Sequence, residues 1–248
     1  MTPGRYHSGS AIVGTVLAFF LLGSARLLAQ EVPISDAEFK KLETFEQTAL
    51  RKADKIFAAQ EWRQAAAEYA SFNLEFAKSP ARAYALFRQG RCLQLDNKRF
   101  EAIHAYQETL DYFPNATDYA AAALYFIGDC HWQNGDIEKA MKAWVKLASD
   151  NAYRQHGLAA GAINRLGDNL VMQGEPAKAV EYYKQVAVDF RRANADAARY
   201  AMAKVLVYYI RTQPDEAKLR DFYEKVQTFE RDPNKPSDGN YWNRVREN

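Results

Sequence analysis

Residues 125–144 read YFIGDCHWQNGDIEKAMKAW. Asn134-Gly135 divides this stretch in two, and that dipeptide marks a tight turn. In the second half Ala140 stands four residues before Trp144, a spacing that puts both side chains on one helix face. The first half is centred on Gly128, twelve residues before Ala140. The stretch therefore reads as a helical hairpin with small residues at the crossing and a large aromatic ring beside them.

The same pattern recurs on either side. QEWRQAAAEY, KRFEAIHAY, GDIEKAMKAW and GEPAKAVEYY each place Ala four residues before an aromatic: Ala65 and Tyr69, Ala102 and Tyr106, Ala140 and Trp144, Ala179 and Tyr183. The Ala positions step by 37, 38 and 39 residues, and another such step reaches Ala217. Counting twelve back from Ala102, Ala140 and Ala179 lands on Gly90, Gly128 and Gly167; from Ala65 it lands on Ala53. Two registers of small residues at one period predict tandem two-helix units that bury their apolar faces by stacking. The expected packing residues are thus Gly90, Gly128, Gly167, Ala65, Ala102, Ala140 and Ala179. A bulky residue at Gly128 or Ala140 would overpack the crossing. The predicted fold is all-α, a right-handed α–α superhelix of about five hairpins over residues 46–230.

Composition agrees. The chain has 248 residues, 48% hydrophobic, with only 12 Gly and 8 Pro. This is too apolar for disorder, and no alternating run of β-branched residues reads as a strand. Residues 11–23 read AIVGTVLAFFLLG, preceded by Arg5 and followed by the small residues Gly23, Ser24, Ala25 and Ala29. A basic start, a short apolar core and small residues make a secretory signal, with cleavage expected after Ala25 or Ala29. The alternative is an uncleaved membrane anchor, although Arg26 ends the run short of the roughly 20 residues a span needs. Without residues 1–29 the chain holds 31 basic and 31 acidic residues. That balance argues against nucleic acid as a partner. Membrane contact would then come only from an uncleaved N-terminal segment.

Boundary residues divide the chain into a signal (1–29), a helical lead-in (30–45), the solenoid (46–230) and a polar tail (231–248). Ser35 and Glu38 form a capping box expected to open the first long helix. Pro80, Pro176 and Pro214 are expected in first helical turns, and Thr117 as a cap.

Few residues suggest chemistry. Cys92 and Cys130 follow Gly90 and Gly128 by two. Equivalent points on neighbouring packed helices lie about 8–10 Å apart, and a disulfide needs about 7 Å or less. Two buried thiols are therefore expected, with a bond left as the alternative. His104, His131 and His156 show no metal-ligand spacing; no metal or cofactor is expected, and no catalytic residue. Asp129 and Asp168 share one offset after the repeat glycine and read as repeat surface or ligand contacts.

The small-residue pattern, with Gly-Asp-aliphatic-x-x-Ala and a following aromatic, resembles the tetratricopeptide repeat. The longer units and linkers such as FPNATDYAAAALYFIGDC resemble its bacterial envelope subgroup, including the periplasmic cell-division coordinator of the Tol-Pal system and the outer-membrane assembly lipoprotein. The chain lacks the lipoprotein cysteine of the second, and residues 31–60 offer one helix where the first has a coiled coil. The resemblance implies a non-enzymatic, exported and periplasmic scaffold that binds a protein or peptide. The alternative is a self-associating structural component, and oligomeric state is left open. It also implies a groove formed by first-helix residues: Phe87, Arg91, Gln94, Tyr125, Asp129, Trp132, Asn164, Asp168 and Met172. Packing of these aromatics between repeats is the competing reading.

Overall fold

The structure is a computed structural model, and it describes residues 32–212 and Ala217. Among them are ten helices and no strand. A short α1 (Asp36–Phe39) precedes four hairpins: α2 (Thr44–Ala58) with α3 (Trp62–Glu75), α4 (Arg82–Leu95) with α5 (Arg99–Tyr112), α6 (Thr117–Gln133) with α7 (Ile137–Ser149), and α8 (Gly157–Met172) with α9 (Pro176–Asp189). α10 (Ala195–Thr212) opens a fifth. From α2 onward each helix packs on the next in sequence. The first helices α4, α6, α8 and α10 also pack on one another in order. The result is an α–α superhelix with first helices in one wall and second helices in the other. The signal segment, the tail and the second helix of the fifth unit, apart from Ala217, lie outside the described residues, as does Pro214.

Small residues set the crossing more tightly than their spacing alone requires. A Cβ on Gly90 would lie 2.6 Å from Tyr106 Cε1, and one on Gly167 2.8 Å from Tyr183 Cε1. A Cβ on Gly128 would collide with the Trp144 indole. The ring therefore lies on the glycine itself, sixteen residues ahead of it in the chain, and does not merely fill the space alongside. Ala65, Ala102, Ala140 and Ala179 are all fully buried behind these rings. In the first unit Ala53, also fully buried, takes the glycine position.

One turn closes all four hairpins. Gln60, Asn97, Gly135 and Gly174 have φ of 62°, 64°, 81° and 80°. At each, two backbone N–H groups bond back to the helix end. In the third hairpin Gly135 N donates to Trp132 O (3.0 Å) and Asp136 N to His131 O (2.9 Å). In the first, Gln60 N donates to Phe57 O (2.9 Å) and Glu61 N to Ile56 O (3.2 Å). This is the Schellman closure, which satisfies carbonyls the helix leaves unpaired. Only two of the four turns use glycine.

Three boundary expectations are corrected. The Ser35–Glu38 box is present, but it opens the four-residue α1. A second box between Glu43 and Glu46 starts the long helix at Thr44, so residues 32–60 hold two helices. Leu42, 5% exposed, anchors the turn between them. Pro80 precedes α4, whose N-cap is Ala81, because the chain is still turning there; Pro176 does occupy the first turn of α9. Thr117 is the first residue of α6 and does not cap it, since Ala116 holds the N-cap position.

The longer repeat goes into structured linkers. Tyr153, in the link from α7 to α8, donates its hydroxyl to Pro114 O at 2.9 Å, back in the previous link. Asn194 donates to Gly157 O at 2.9 Å and accepts from Ala197 N at 3.0 Å, joining the α9–α10 link to the start of α8 while capping α10.

Because a side chain at positive φ costs on the order of 1 kcal/mol relative to glycine, Gln60→Gly is expected to raise stability by about 1 kcal/mol. Denaturant titration, with hydrogen exchange followed in the first hairpin, checks it. A loss of stability would mean that the Gln60 side chain contributes contacts that outweigh the strain.

Candidate functional site

The position after each small residue carries a charge: Asp54, Arg91, Asp129 and Asp168. Asp54 accepts hydrogen bonds from the Tyr69 hydroxyl of its own hairpin and from the Tyr84 hydroxyl of the next, the latter at 2.6 Å. Asp168 does the same: Tyr183 of its own hairpin donates at 2.7 Å, and Tyr200 of α10 donates at 2.7 and 2.9 Å. Lys204 Nζ lies 3.6 Å from Asp168. Each carboxylate thus ties the second helix of its own unit to the first helix of the next. Burial holds the Tyr69, Tyr84 and Tyr183 hydroxyls protonated well above the ordinary tyrosine range, so they act as donors.

The middle units make the same join with other chemistry. Arg91 is fully buried over the Phe126 ring, 3.9 Å from its centroid, and donates to Gln94 Oε1 at 2.7 Å. That oxygen also accepts from Tyr106 at 2.8 Å. Gln94 Nε2 donates to Asp129 at 2.8 Å, and Gln133 donates to the same oxygen at 2.6 Å. Arg165 of α8 stands 3.9 Å from the other oxygen. Burial pushes the Asp129 carboxyl above its usual range, while Arg165, Arg91 and the two amides pull it back. Trp144 donates to the Tyr125 carbonyl at 3.1 Å.

This arrangement divides the residues expected in the groove. Phe87, Arg91, Gln94, Tyr125 and Asn164 are buried, none more than 8% exposed. Phe87 packs within 6.1 Å of Tyr106, Tyr119 and Phe126. The Tyr125 ring rests on Gly161 of α8. Asn164 donates to Ala197 O at 2.9 Å. These five hold neighbouring repeats together and do not line an open surface, because the first helices stack too closely to leave them in solvent. Asp129 and Asp168 are half-buried and committed to bonds. Trp132 is half-buried on Trp144, with ring centroids 5.8 Å apart. Met172 stands 71% exposed, beside exposed Val171. What stays open is therefore an edge at the C-terminal ends of α6 and α8: Trp132, Gln133, Val171 and Met172.

Asp54, Tyr84, Arg165 and Tyr200 escaped the sequence reading. A signal was available, because the charged position and the aromatic lie fifteen residues apart in all four hairpins. Cys92 and Cys130 are both buried, and no disulfide joins them. Burial and the neighbouring Asp129 push the Cys130 thiol up to about 12, which leaves it protonated near neutral pH. Among the described residues no group of three or more His, Cys, Asp or Glu side chains could hold a metal, and no helix is long and apolar enough to cross a membrane.

Two stretches match the tetratricopeptide repeat family: residues 84–116, spanning most of α4 with α5, and residues 121–147, spanning most of α6 with α7. A search of curated proteins finds no match. Among solved structures the fold is similar to the nearly identical TPR-like repeats of a Podosopora anserina chain assigned as a kinesin light chain. That likeness has 14% identity and a TM-score of 0.51, over 74% of this chain and 94% of that one. It is also similar to the MamA protein, at 18% identity and a TM-score of 0.50, over 75% of this chain and 91% of that one. At such identities the likeness is one of fold. Two of its hairpins thus match the tetratricopeptide repeat, and the described residues form an all-helical solenoid.

Replacing Asp168 by Leu strands two tyrosine hydroxyls and is expected to cost about 2–3 kcal/mol. Repeats couple to their nearest neighbours, so hydrogen exchange should rise in α10 and α9 and stay unchanged in α4 and α5. A uniform rise along the array would contradict the assigned role.

Proposed function

We propose that this chain is an exported protein-interaction scaffold of the bacterial envelope, and that it captures a partner segment along the open edge of α6 and α8. The tetratricopeptide repeats support the scaffold role, since a rigid stack of hairpins offers a long surface and few catalytic groups. The two repeat carboxylates, Asp129 and Asp168, are committed to hydrogen bonds within and between repeats. The N-terminal run AIVGTVLAFFLLG and the small residues after it support export to the periplasm. The longer units support a place among the envelope tetratricopeptide proteins.

One observation carries the location of the surface. At the C-terminal ends of the packed helices α6 and α8, Met172 is 71% and Val171 44% exposed, Gln133 is exposed and the Trp132 ring is half-buried. Aromatic and Met side chains at a rim over polar groups suit an apolar peptide anchor flanked by hydrogen-bonding groups. Arg99 holds Gln133 from the neighbouring hairpin at 2.9 Å, so the edge is braced before a partner arrives.

A photo-crosslinking residue placed at Met172 or Gln133 in the native host is expected to yield a discrete heterologous adduct in the periplasmic fraction. The same residue at exposed Gln64, on the opposite wall, should yield none. Absence of adducts at both edge positions, or their recovery only with cytoplasmic proteins, would reject this reading.

A further inference from the structure

The wall of second helices carries a pattern that the inner wall does not explain. α5 bears Arg99 against Glu101, Glu108 and Asp111, while α7 bears Lys139, Lys142 and Lys146 against Glu138 alone. Neighbouring helices of one wall thus have opposite net charge. On α5 the exposed face runs through Phe100, Glu101, His104, Gln107, Asp111 and Tyr112, with Glu108 half-buried alongside. On α7 it runs through Glu138, Lys139, Lys142, Val145, Lys146 and Ser149, with Lys142 and Val145 on adjacent turns. Phe100 is 72% exposed, Tyr112 65% and Val145 49%. Each face therefore combines uncovered apolar side chains with one dominant sign of charge.

The charges also share a register. Glu101 and Lys139 stand one residue before Ala102 and Ala140; Glu108 and Lys146 stand six residues after them. The same two positions of the repeat are acidic in one unit and basic in the next. Within the chain two of these side chains meet local partners: Glu108 lies 3.8 Å from His104 and Lys139 3.6 Å from Asp136. Among the described residues no ion pair joins the α5 stripe to the α7 stripe.

We infer that the α5–α7 wall is a self-association surface, on which two copies of this chain pair about a two-fold axis parallel to the helices. Such an axis reverses the order of the helices while keeping their direction. It lays α5 of one copy over α7 of the other, and the reverse, with equal repeat positions facing. Glu101 meets the second copy's Lys139 and Glu108 its Lys146, each pair made twice by symmetry. Phe100, Tyr112 and Val145 supply the apolar contacts, and the complementary stripes set the register. The inference goes beyond the proposed partner edge and does not depend on it, because the surface lies on the other wall.

The test is the mass of the full chain by sedimentation equilibrium, with helical content followed by circular dichroism. The native chain is expected to be dimeric, with an affinity that falls as salt is raised. Lys139→Glu with Lys146→Glu, or Glu101→Lys with Glu108→Lys, should weaken the dimer by about tenfold or more at unchanged helicity. All four substitutions in one chain restore complementarity and should restore the dimer. A monomeric native chain, a dimer indifferent to either double variant, or a four-fold variant that stays monomeric would overturn the inference. So would a monomer that binds phosphatidylglycerol vesicles through Lys139 and Lys146, which would make the basic stripe a lipid contact.

Discussion

The fold depends on one contact made again and again: an aromatic ring of the second helix lying on a side-chain-free point of the first. At Gly90, Gly128 and Gly167 no Cβ fits beneath Tyr106, Trp144 and Tyr183. The contact sets how closely the two helices of a hairpin approach, and hence how the next hairpin can stack. Other features follow from that distance. The alanines behind the rings have to be small, the hairpin turn has to be tight enough to use positive φ, and the first helices come near enough to bury most of their own surface.

Close approach creates a problem that the chain solves with polar groups. A buried tyrosine hydroxyl needs an acceptor, and the residue after the small position supplies it as Asp54 or Asp168. Because each carboxylate also takes a hydroxyl from the following unit, a requirement inside one hairpin becomes a joint between two. In the middle of the array Arg91, Gln94, Asp129 and Gln133 form a relay to the same end. The polar residues of the first helices are therefore part of the stack. This leaves the ends of α6 and α8 as the proposed partner surface, and the opposite wall as the inferred self-association surface.

Much of the fold could be read directly, since small residues at a fixed period have few uses other than close helix packing. Gly128 and Ala140 were visible as a crossing because both registers repeat. The site was less legible. Phe87 and Tyr125 look like groove residues by their offset in the repeat, yet the period says which residues share a face and not how near the next repeat comes. The depth of the groove depends on that distance, and it buried them. The Asp–Tyr joint was hidden for a related reason. Its two ends lie fifteen residues apart on antiparallel helices, and only the crossing height shows that a hydroxyl reaches a carboxylate. The early stop of α1 reflects two capping boxes, Ser35–Glu38 and Glu43–Glu46, competing for one segment.

The claim beneath all of this is that aromatic rings sit directly on the repeat glycines, and their ring currents provide the most direct measurement. In a proton–carbon correlation spectrum of the glycine-labelled chain, the Hα resonances of Gly90, Gly128 and Gly167 should lie upfield of ordinary helical glycine. Each should move back when its own ring, Tyr106, Trp144 or Tyr183, is replaced by Leu. Three glycines at ordinary shifts, indifferent to those replacements, would contradict the account.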